Sequence, residues 1–193
     1  MHHIYHTTAF VLGHADIKEA DRFFILFTRE LGVIRATAQG IRKLSSRLRY
    51  GLQDFSYARV DLVRGKDVWR ITSATKIETE GLYILERLAL FARILELVRR
   101  LYQGEEAVES VFKTVQSLLM VLGTKQELSK EILLGLEYIS VLHILSELGY
   151  VSPDGMVAVY LLGDLSLEKA SDAYIDRQEL LKIINTAIGE TQL

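Results

Sequence analysis

The pattern of apolar residues in this sequence changes once along the chain, close to Thr79–Gly81. Before that point, apolar residues fall in five short runs rich in branched and aromatic side chains, and glycines separate the runs. This pattern is typical of short β-strands. After that point, apolar residues recur every three to four positions, which is the spacing of amphipathic helices. The sequence therefore predicts an α+β protein, with a strand domain at residues 1–79 and a helical domain at residues 80–193.

Each half predicts a definite set of elements. Five strands are expected at Tyr5–Leu12, Arg22–Thr28, Val33–Gln39, Phe55–Val63 and Val68–Lys76. Five strands in about 75 residues suit a small antiparallel barrel of the oligonucleotide-binding (OB) type, although an SH3-like barrel has the same periodicity. Helices are expected at Leu82–Tyr102, Glu106–Leu122, Glu127–Leu148 and Asp176–Gly189, the last opened by a capping box of Asp176 and Glu179. Val157–Leu162 fits either a strand or a helical turn.

Missing residue types exclude several kinds of site. The chain has no cysteine, so zinc–thiolate sites, iron–sulfur clusters and cysteine nucleophiles are excluded. The histidine and acids of His14–Asp21 could hold a cation, but Lys18 and Arg22 lie among them and favour a solvated loop. No nucleophile or nucleotide-binding motif occurs, and no apolar run reaches the roughly 18 residues of a membrane span. We therefore expect a cytoplasmic protein that is not an enzyme and has neither metal nor cofactor.

The positive charge is concentrated in one segment. Residues 1–80 carry 13 Lys/Arg against 9 Asp/Glu, whereas residues 81–193 carry 10 against 16. No acidic residue occurs at the 23 positions between Glu30 and Asp54. Because cations neutralise phosphates and hydroxyls hydrogen-bond to their oxygens, this segment predicts a nucleic-acid site; the alternative is an ordinary solvated loop. The candidate contacts are Arg35, Arg42, Lys43, Ser45, Ser46, Arg47 and Arg49. Four aromatic residues could stack on bases or fill the barrel: Tyr50, Phe55, Tyr57 and Trp69.

Five motifs in the first domain resemble those of the bacterial RecO recombination mediators, in the same order and spacing. They are Val11-Leu12-Gly13, Glu19-Ala20-Asp21-Arg22, Phe27-Thr28-Arg29-Glu30-Leu31-Gly32, Gly40-Ile41-Arg42-Lys43-Leu44-Ser45-Ser46-Arg47 and Leu52-Gln53-Asp54-Phe55. The chain departs from the family pattern at Asp54, where a proline is common. It also lacks the four-cysteine zinc site of many members, and it is shorter than is usual for them.

The resemblance implies a non-catalytic mediator of DNA repair, with an OB barrel followed by a helical domain. Such proteins bind single- and double-stranded DNA, anneal complementary strands and engage the single-stranded DNA-binding protein. With RecR, and sometimes RecF, they help load RecA onto DNA. Family members receive the acidic tail of the single-stranded DNA-binding protein in an apolar pocket edged by cations. The candidates for those cations here are Arg93, Arg99 and Arg100.

Two other function classes stay open at this point. An RNA-binding or translation-associated OB protein would share a basic barrel, since RNA and DNA present the same phosphates. A structural adaptor without nucleic-acid binding would need no acid-free segment. A competition titration between RNA and DNA separates the first alternative from a DNA-binding protein, and salt-dependent binding excludes the second.

Overall fold

The computed structural model describes residues 3–102 and 104–191, and the chain divides into two compact units. The first unit comprises Met1–Glu78 together with Tyr102–Glu109. The second comprises Thr79–Leu101 and Ser110–Leu193. The return of Tyr102–Glu109 to the first unit is a feature that the apolar pattern did not indicate.

The first unit is a closed five-stranded barrel. Its strands run in the order β1-β2-β3-β5-β4. Four neighbouring pairs are antiparallel, and β3 and β5 run parallel, pairing at Ala36–Trp69 and Thr37–Arg70. This confirms the OB-type barrel and adds one parallel pairing to the expected antiparallel set. The strands are β1 (Ile4–Asp16), β2 (Arg22–Thr28), β3 (Gly32–Ala38), β4 (Tyr57–Arg64) and β5 (Trp69–Lys76).

Strand β1 continues past Gly13, where the sequence pattern predicted its end. Its first half, from Ile4 to Phe10, pairs with β4, and the stretch from Ala9 to Asp16 pairs with β2. The register shifts between Val11 and Gly13, and such a bulge bends a strand and increases its twist. One long bent strand therefore bridges two neighbours, which allows so few strands to close a barrel.

The barrel interior is filled by the inward-facing residues of every strand. The connection between β3 and β4 contributes to the same core through Ile41 and Leu52, and it contains a short helix, α1 (Leu48–Gly51). Helix α1 lies so close to β5 that a Cβ at Gly51 would be 2.7 Å from the carbonyl oxygen of Ala74. The connection is therefore anchored in the core at both ends.

The second unit is helical. A 3₁₀ turn at Glu80–Tyr83 precedes its helices. The four expected helices are confirmed with somewhat different ends, Val157–Leu162 falls largely within α5, and α6 was not expected. None of the helices in the described ranges is both long enough and apolar enough to cross a membrane. The helices are α2 (Leu85–Leu101), α3 (Glu109–Leu122), α4 (Lys130–Glu147), α5 (Gly155–Leu161), α6 (Leu167–Ile175) and α7 (Arg177–Glu190).

The helix ends show which capping signals were correct. Gly149 follows α4 with a φ of 79°, as expected for a glycine in the left-handed conformation that ends a helix. The capping box at Asp176 was wrong, because no side-chain cap forms there. The Asp176 carboxylate instead accepts a hydrogen bond from the Tyr160 hydroxyl at 2.6 Å. The serines Ser129 and Ser166 cap α4 and α6 through their hydroxyls.

Candidate nucleic-acid interface

The basic segment forms a loop, Gly40–Arg49, that is tied to the barrel at its start; we call it the basic loop. Gly40 has a φ of 65°, and its N–H donates to the Asp21 carboxylate at 2.7 Å. The next residue, Ile41, is 1% exposed and belongs to the barrel core. The N–H of Arg42 donates to the carbonyl of Ala20 at 3.1 Å. These contacts hold the loop against the turn between β1 and β2.

Two consecutive turns then shape the basic loop. The N–H of Lys43 donates to the Gly40 carbonyl at 3.1 Å, and the N–H of Ser46 donates to the Lys43 carbonyl at 3.0 Å. The loop next enters α1, whose Leu48 packs against the barrel core. Most side chains of the basic loop face solvent. The exposed ones are Arg42, Lys43, Leu44, Ser45 and Arg47, whereas Ser46 is half-buried.

One loop cation already has an acidic neighbour. Arg42 lies 3.4 Å from the Asp16 carboxylate, which also accepts a hydrogen bond from the Arg22 Nε at 2.7 Å. The hydrogen bond from Arg22, with the nearby charge of Arg42, lowers the pKa of Asp16. Asp16 is therefore part of an arginine pairing network. Within the described ranges no group of three or more His, Cys, Asp or Glu side chains is arranged to hold a metal ion.

The aromatic candidates separate clearly by exposure. Tyr50 is 61% exposed, and the Arg49 guanidinium lies 4.8 Å from the centre of its ring. Arg49 also donates to the Tyr50 hydroxyl at 2.8 Å. Trp69 is 4% exposed in the barrel core, and Tyr57 stacks on Phe10 with ring centres 4.6 Å apart. Phe55 and Tyr57 are half-buried, so Tyr50 is the most exposed of the four rings and the one most open to stacking with a base.

Arg35 lies on the barrel wall, outside the basic loop. It is exposed in the middle of β3, two residues before Thr37, which pairs in register with Arg70 of β5. Thr37 and Arg70 line a cleft of about 320 Å³ between β3 and the β4–β5 turn; we call it the β4–β5 cleft. The cleft also contains Arg64 and Lys66. Arg64, Lys66 and Arg70 were missed because they are scattered singly along the sequence, and only the fold brings them together in one cleft.

The comparisons with known proteins agree with this barrel. Residues 1–79 match the family model described as "Recombination protein O N terminal". The chain is similar to the DNA repair protein RecO of Pelotomaculum thermopropionicum, at 33% identity over 122 residues, 62% of this chain and 48% of that protein. It is also similar to the RecO of Alkaliphilus metalliredigens, at 32% identity over 130 residues, 66% of this chain and 52% of that protein.

The first 79 residues match the RecO N-terminal family model, and the similarity to RecO proteins continues beyond them. A third relative, the DNA repair protein RecO of Heliobacterium modesticaldum, is 40% identical over 76 residues, which is 39% of this chain and 28% of that protein. The chain thus spans about half the length of these relatives, or less.

The motifs that carry the RecO resemblance build the turns of the barrel. Asp21 holds the start of the basic loop, as described above. Thr28 shapes the β2–β3 turn, because its hydroxyl donates to the Gly32 carbonyl at 2.9 Å and accepts from the Leu31 N–H at 3.1 Å. Asp54, at the position where a proline is common in the family, lies 2.7 Å from the His14 ring. Apart from the basic loop, these motifs therefore shape the turns of the barrel and do not themselves supply the cations of the candidate interface.

The three arginines expected to bind a partner lie on α2 and have different surroundings. Arg93 donates from Nε and Nη2 to the Glu137 carboxylate at 2.6 and 2.7 Å, which raises the pKa of Arg93. Arg99 lies 3.6 Å from Glu96, and Arg100 is exposed. Arg93 lines a groove of about 930 Å³ between α2 and α4, whose lining does not include Arg99 or Arg100.

The groove between α2 and α4, which we call the helical groove, has an apolar floor and a charged rim. Leu90, Leu133 and Leu134 contribute to the floor. The rim holds both signs of charge, from Arg93, Lys125, Lys130, Glu86, Glu127 and Glu137. An apolar floor with both signs of charge at the rim suits an extended apolar segment that has charged neighbours.

A buried arginine fixes one wall of the helical groove. Arg87 is 3% exposed, and its guanidinium donates to the carbonyls of Leu122 at 2.8 Å and Thr124 at 2.6 Å. A third hydrogen bond reaches the carbonyl of Gln126. These carbonyls belong to the end of α3 and the loop after it, where a helix leaves its last carbonyls unpaired. Arg87 therefore holds the loop that carries Lys125.

Proposed function

We propose that this chain is a non-catalytic mediator of DNA repair and homologous recombination that binds single- and double-stranded DNA. The observation that carries the proposal is the basic loop, in which backbone turns and the buried Ile41 hold the side chains of Arg42, Lys43 and Arg47 toward solvent. A preordered set of cations binds phosphates without first losing loop entropy. The names of the relatives, DNA repair protein RecO, support the same role.

The contacts favour binding to the nucleic-acid backbone. Arginine, lysine and serine side chains recognise phosphate oxygens, and such contacts position a protein on DNA without reading sequence. Arg35 and the β4–β5 cleft add further cations on the barrel wall. The exposed Tyr50 ring, beside Arg49, adds a surface on which any base can stack. A sequence-tolerant surface of this kind suits a protein that acts on any gapped DNA.

The same surface supports annealing of complementary strands. Two single strands repel each other through their phosphates, and cations placed between them screen that repulsion. A protein with a basic loop and a second set of cations on the barrel can reduce the repulsion for both strands. No chemical bond changes in this process, so the protein needs no catalytic group.

The helical groove supports a role in binding a partner. We propose that it receives the acidic tail of the single-stranded DNA-binding protein, whose terminal apolar residue would contact the floor at Leu90, Leu133 and Leu134. Lys125, Lys130 and Arg93 would bind the acidic residues of the tail, with Arg99 and Arg100 acting further along α2. Arg93 is paired with Glu137, so the tail would exchange one carboxylate for another there. RecR, and in some cells RecF, are proposed as further partners in loading RecA.

Strand annealing tests the proposal directly. Two complementary labelled oligonucleotides, coated with single-stranded DNA-binding protein, should anneal faster with the protein than without it. A variant with Arg42, Lys43, Arg47 and Arg49 all changed to alanine should lose most of this acceleration while staying folded. Folded parent protein that neither binds nor anneals the oligonucleotides would contradict the proposal. Preference for an RNA competitor over DNA of the same sequence would favour the RNA-binding alternative.

A further inference from the structure

The segment Gly104–Glu109 crosses back onto the barrel, and three of its six residues are glutamates. We call it the acidic strap. The N–H of Val33 in β3 donates to the Gly104 carbonyl at 3.0 Å, which forms an isolated antiparallel bridge. Strand β5 pairs with β3 at Ala36 and Thr37, further along the strand. The acidic strap therefore covers the edge of β3 where β5 has not yet begun.

The strap backbone lies against the barrel at its middle as well as its start. Gly32, with a φ of 65°, has no side chain, and a Cβ at that position would lie 2.2 Å from the Glu106 carbonyl oxygen. A close approach to the backbone and a left-handed conformation both require glycine. The sequence of β3 is thus adapted to admit the acidic strap.

Two of the three strap carboxylates, those of Glu105 and Glu109, contact barrel arginines. Glu105 accepts a hydrogen bond from the Arg64 guanidinium and another from the Trp69 Nε1 at 3.1 Å. The Arg64 guanidinium also lies 4.7 Å from the centre of the Trp69 ring. Glu109 accepts from the Arg29 guanidinium at 3.1 Å, and this hydrogen bond raises the pKa of Arg29. Two barrel arginines are therefore neutralised by strap carboxylates.

One of these arginines belongs to the surface proposed to bind nucleic acid. Arg64 lines the β4–β5 cleft together with Lys66 and Arg70, and its ion pair with Glu105 is half-exposed. A phosphate approaching the cleft offers the same kind of acceptor oxygens that Glu105 supplies, so phosphate and carboxylate compete for Arg64. The pairing of Arg29 with Glu109 imposes the same competition at the β2–β3 turn.

We propose that the acidic strap is a built-in competitor of nucleic acid, which occupies Arg64 and Arg29 until phosphates displace its carboxylates. This inference rests on the proposed function and names a regulation of the same barrel. Covering the edge of β3 requires the backbone bridge alone. The ion pairs of Glu105 with Arg64 and of Glu109 with Arg29 are not needed to protect the edge. They allow a phosphate to replace a carboxylate at each arginine. The consequence is that full DNA contact requires the strap carboxylates to leave.

The test removes the two carboxylate charges without changing side-chain shape. The variant Glu105→Gln/Glu109→Gln is titrated with a labelled oligothymidylate of about 30 nucleotides, which is long enough for several site sizes of an OB barrel. Exposed ion pairs are each worth less than about a tenfold equilibrium factor, so freeing two arginines should tighten binding by about two- to thirtyfold. Two added phosphate contacts should steepen the slope of log K against log salt by up to about 1.4.

A matched control carries the same charge change elsewhere. Glu168→Gln/Glu190→Gln removes two exposed carboxylates of the second unit and should leave affinity and slope close to those of the parent. In an Arg64→Gln background, Glu105→Gln should give no gain, because the cation it frees is gone. Thermal unfolding checks that each variant is folded, and the single changes replace the double variant if it melts early.

The outcomes separate this inference from the proposed function. Parental affinity and slope in the folded double variant would overturn the inference, and loss of binding in the basic-loop variant would then leave the proposed function standing. An equal gain in the Glu168/Glu190 control would also overturn it, since overall charge would then explain the effect. Folded parent and double variant that both fail to bind would overturn both proposals.

Discussion

The guanidinium of Arg42 lies 3.4 Å from the carboxylate of Asp16. Asp16 also accepts a hydrogen bond from Arg22. Arg42 of the basic loop is therefore already paired with an acid before any ligand binds. If the barrel binds phosphates as proposed, a phosphate at Arg42 competes with Asp16, and a phosphate at Arg64 competes with Glu105. Under that proposal, acids at two places on the barrel would lower the affinity that the cations alone provide.

Replacing Asp16 by asparagine should therefore strengthen binding to single-stranded DNA. The expected gain is about two- to fivefold, the size of one exposed ion pair. The measurement is a titration with labelled oligonucleotide at low salt. Glu19→Gln, an exposed carboxylate in the neighbouring turn, is the control with the same charge change, and it should bind about as tightly as the parent. Equal gains in the two variants would show a general charge effect and contradict a specific role for Asp16.

Arg87→Met should strongly destabilise the helical unit. The methionine keeps the apolar part of the side chain, but it leaves three carbonyls, those of Leu122, Thr124 and Gln126, without the guanidinium that they bind. Each unsatisfied buried acceptor costs about 1–3 kcal/mol, and water that enters the site recovers part of this. We expect a loss of about 3–5 kcal/mol in the free energy of unfolding, measured in urea.

Arg99→Met on the same helix is the control for Arg87. Arg99 is exposed, and its ion pair with Glu96 spans 3.6 Å, so its loss should change stability by no more than about 0.5 kcal/mol. If the two variants unfold at the same urea concentration, the three hydrogen bonds from Arg87 to carbonyls do not contribute to the free energy of unfolding.

The fold was predictable where a strand or helix carries a strong side-chain pattern. Strand β2, Arg22–Thr28, has the predicted bounds because its apolar run stands between charged residues. Helix α6 was missed because its buried residues, Ala170 and Ala173, are small and give a weak apolar signal. The bridge between Val33 and Gly104 was also missed, since it joins two backbones. Side-chain periodicity carries no information about contacts of that kind.

The candidate site was predictable only where its residues are neighbours in sequence. The basic loop was visible as an acid-free segment, and three of its four cations, Arg42, Lys43 and Arg47, are exposed, as a phosphate-binding role requires. Arg70 carries no such signal, because it is a single cation in a strand and gains its neighbours through the parallel pairing of β3 with β5. The burial of Trp69 follows from the same pairing, which turns its ring into the barrel.

Protonation of His143 should lower the stability of the fold in acid. Burial lowers the pKa of His143 below its ordinary value of 6.5, and the charge of Lys169 acts in the same direction, while the Tyr160 carbonyl at 3.1 Å and Glu147 oppose it. The unfolded chain then binds a proton on this ring more readily than the folded chain. The contribution is therefore complete above about pH 6.5, declines as the pH falls below that value and stops declining below the folded-state pKa.

The measurement compares urea unfolding of the parent and of His143→Gln at about pH 7.5 and about pH 5. Glutamine does not titrate, so the variant should lose less stability between the two conditions than the parent does. Identical losses in the parent and in His143→Gln would assign the acid sensitivity to other groups.

The salt dependence of DNA binding is the sharpest test of the basic loop. Each phosphate contact on a single strand contributes about −0.7 to the slope of log K against log salt. Changing Arg42, Lys43, Arg47 and Arg49 together to alanine should therefore flatten the slope by about 2.8 if all four bind phosphates. A flattening of about 1.4 would indicate that only two of the four make contacts, as expected if Asp16 retains Arg42 and Tyr50 retains Arg49.

The control must remove as many cations from a surface outside the barrel. Lys169 is unsuitable, because its ammonium donates to the carbonyls of Leu162 and Asp164 and holds their loop. Four exposed lysines of the second unit serve instead: Lys113, Lys125, Lys130 and Lys182. Changed together to alanine, they should leave the slope near the parental value. Exposed loop charges affect stability by about 0.5 kcal/mol or less, so the loop variant should unfold like the parent. A folded loop variant with the parental slope, or a control that loses as much as the loop variant, would exclude the basic loop as the phosphate-binding surface.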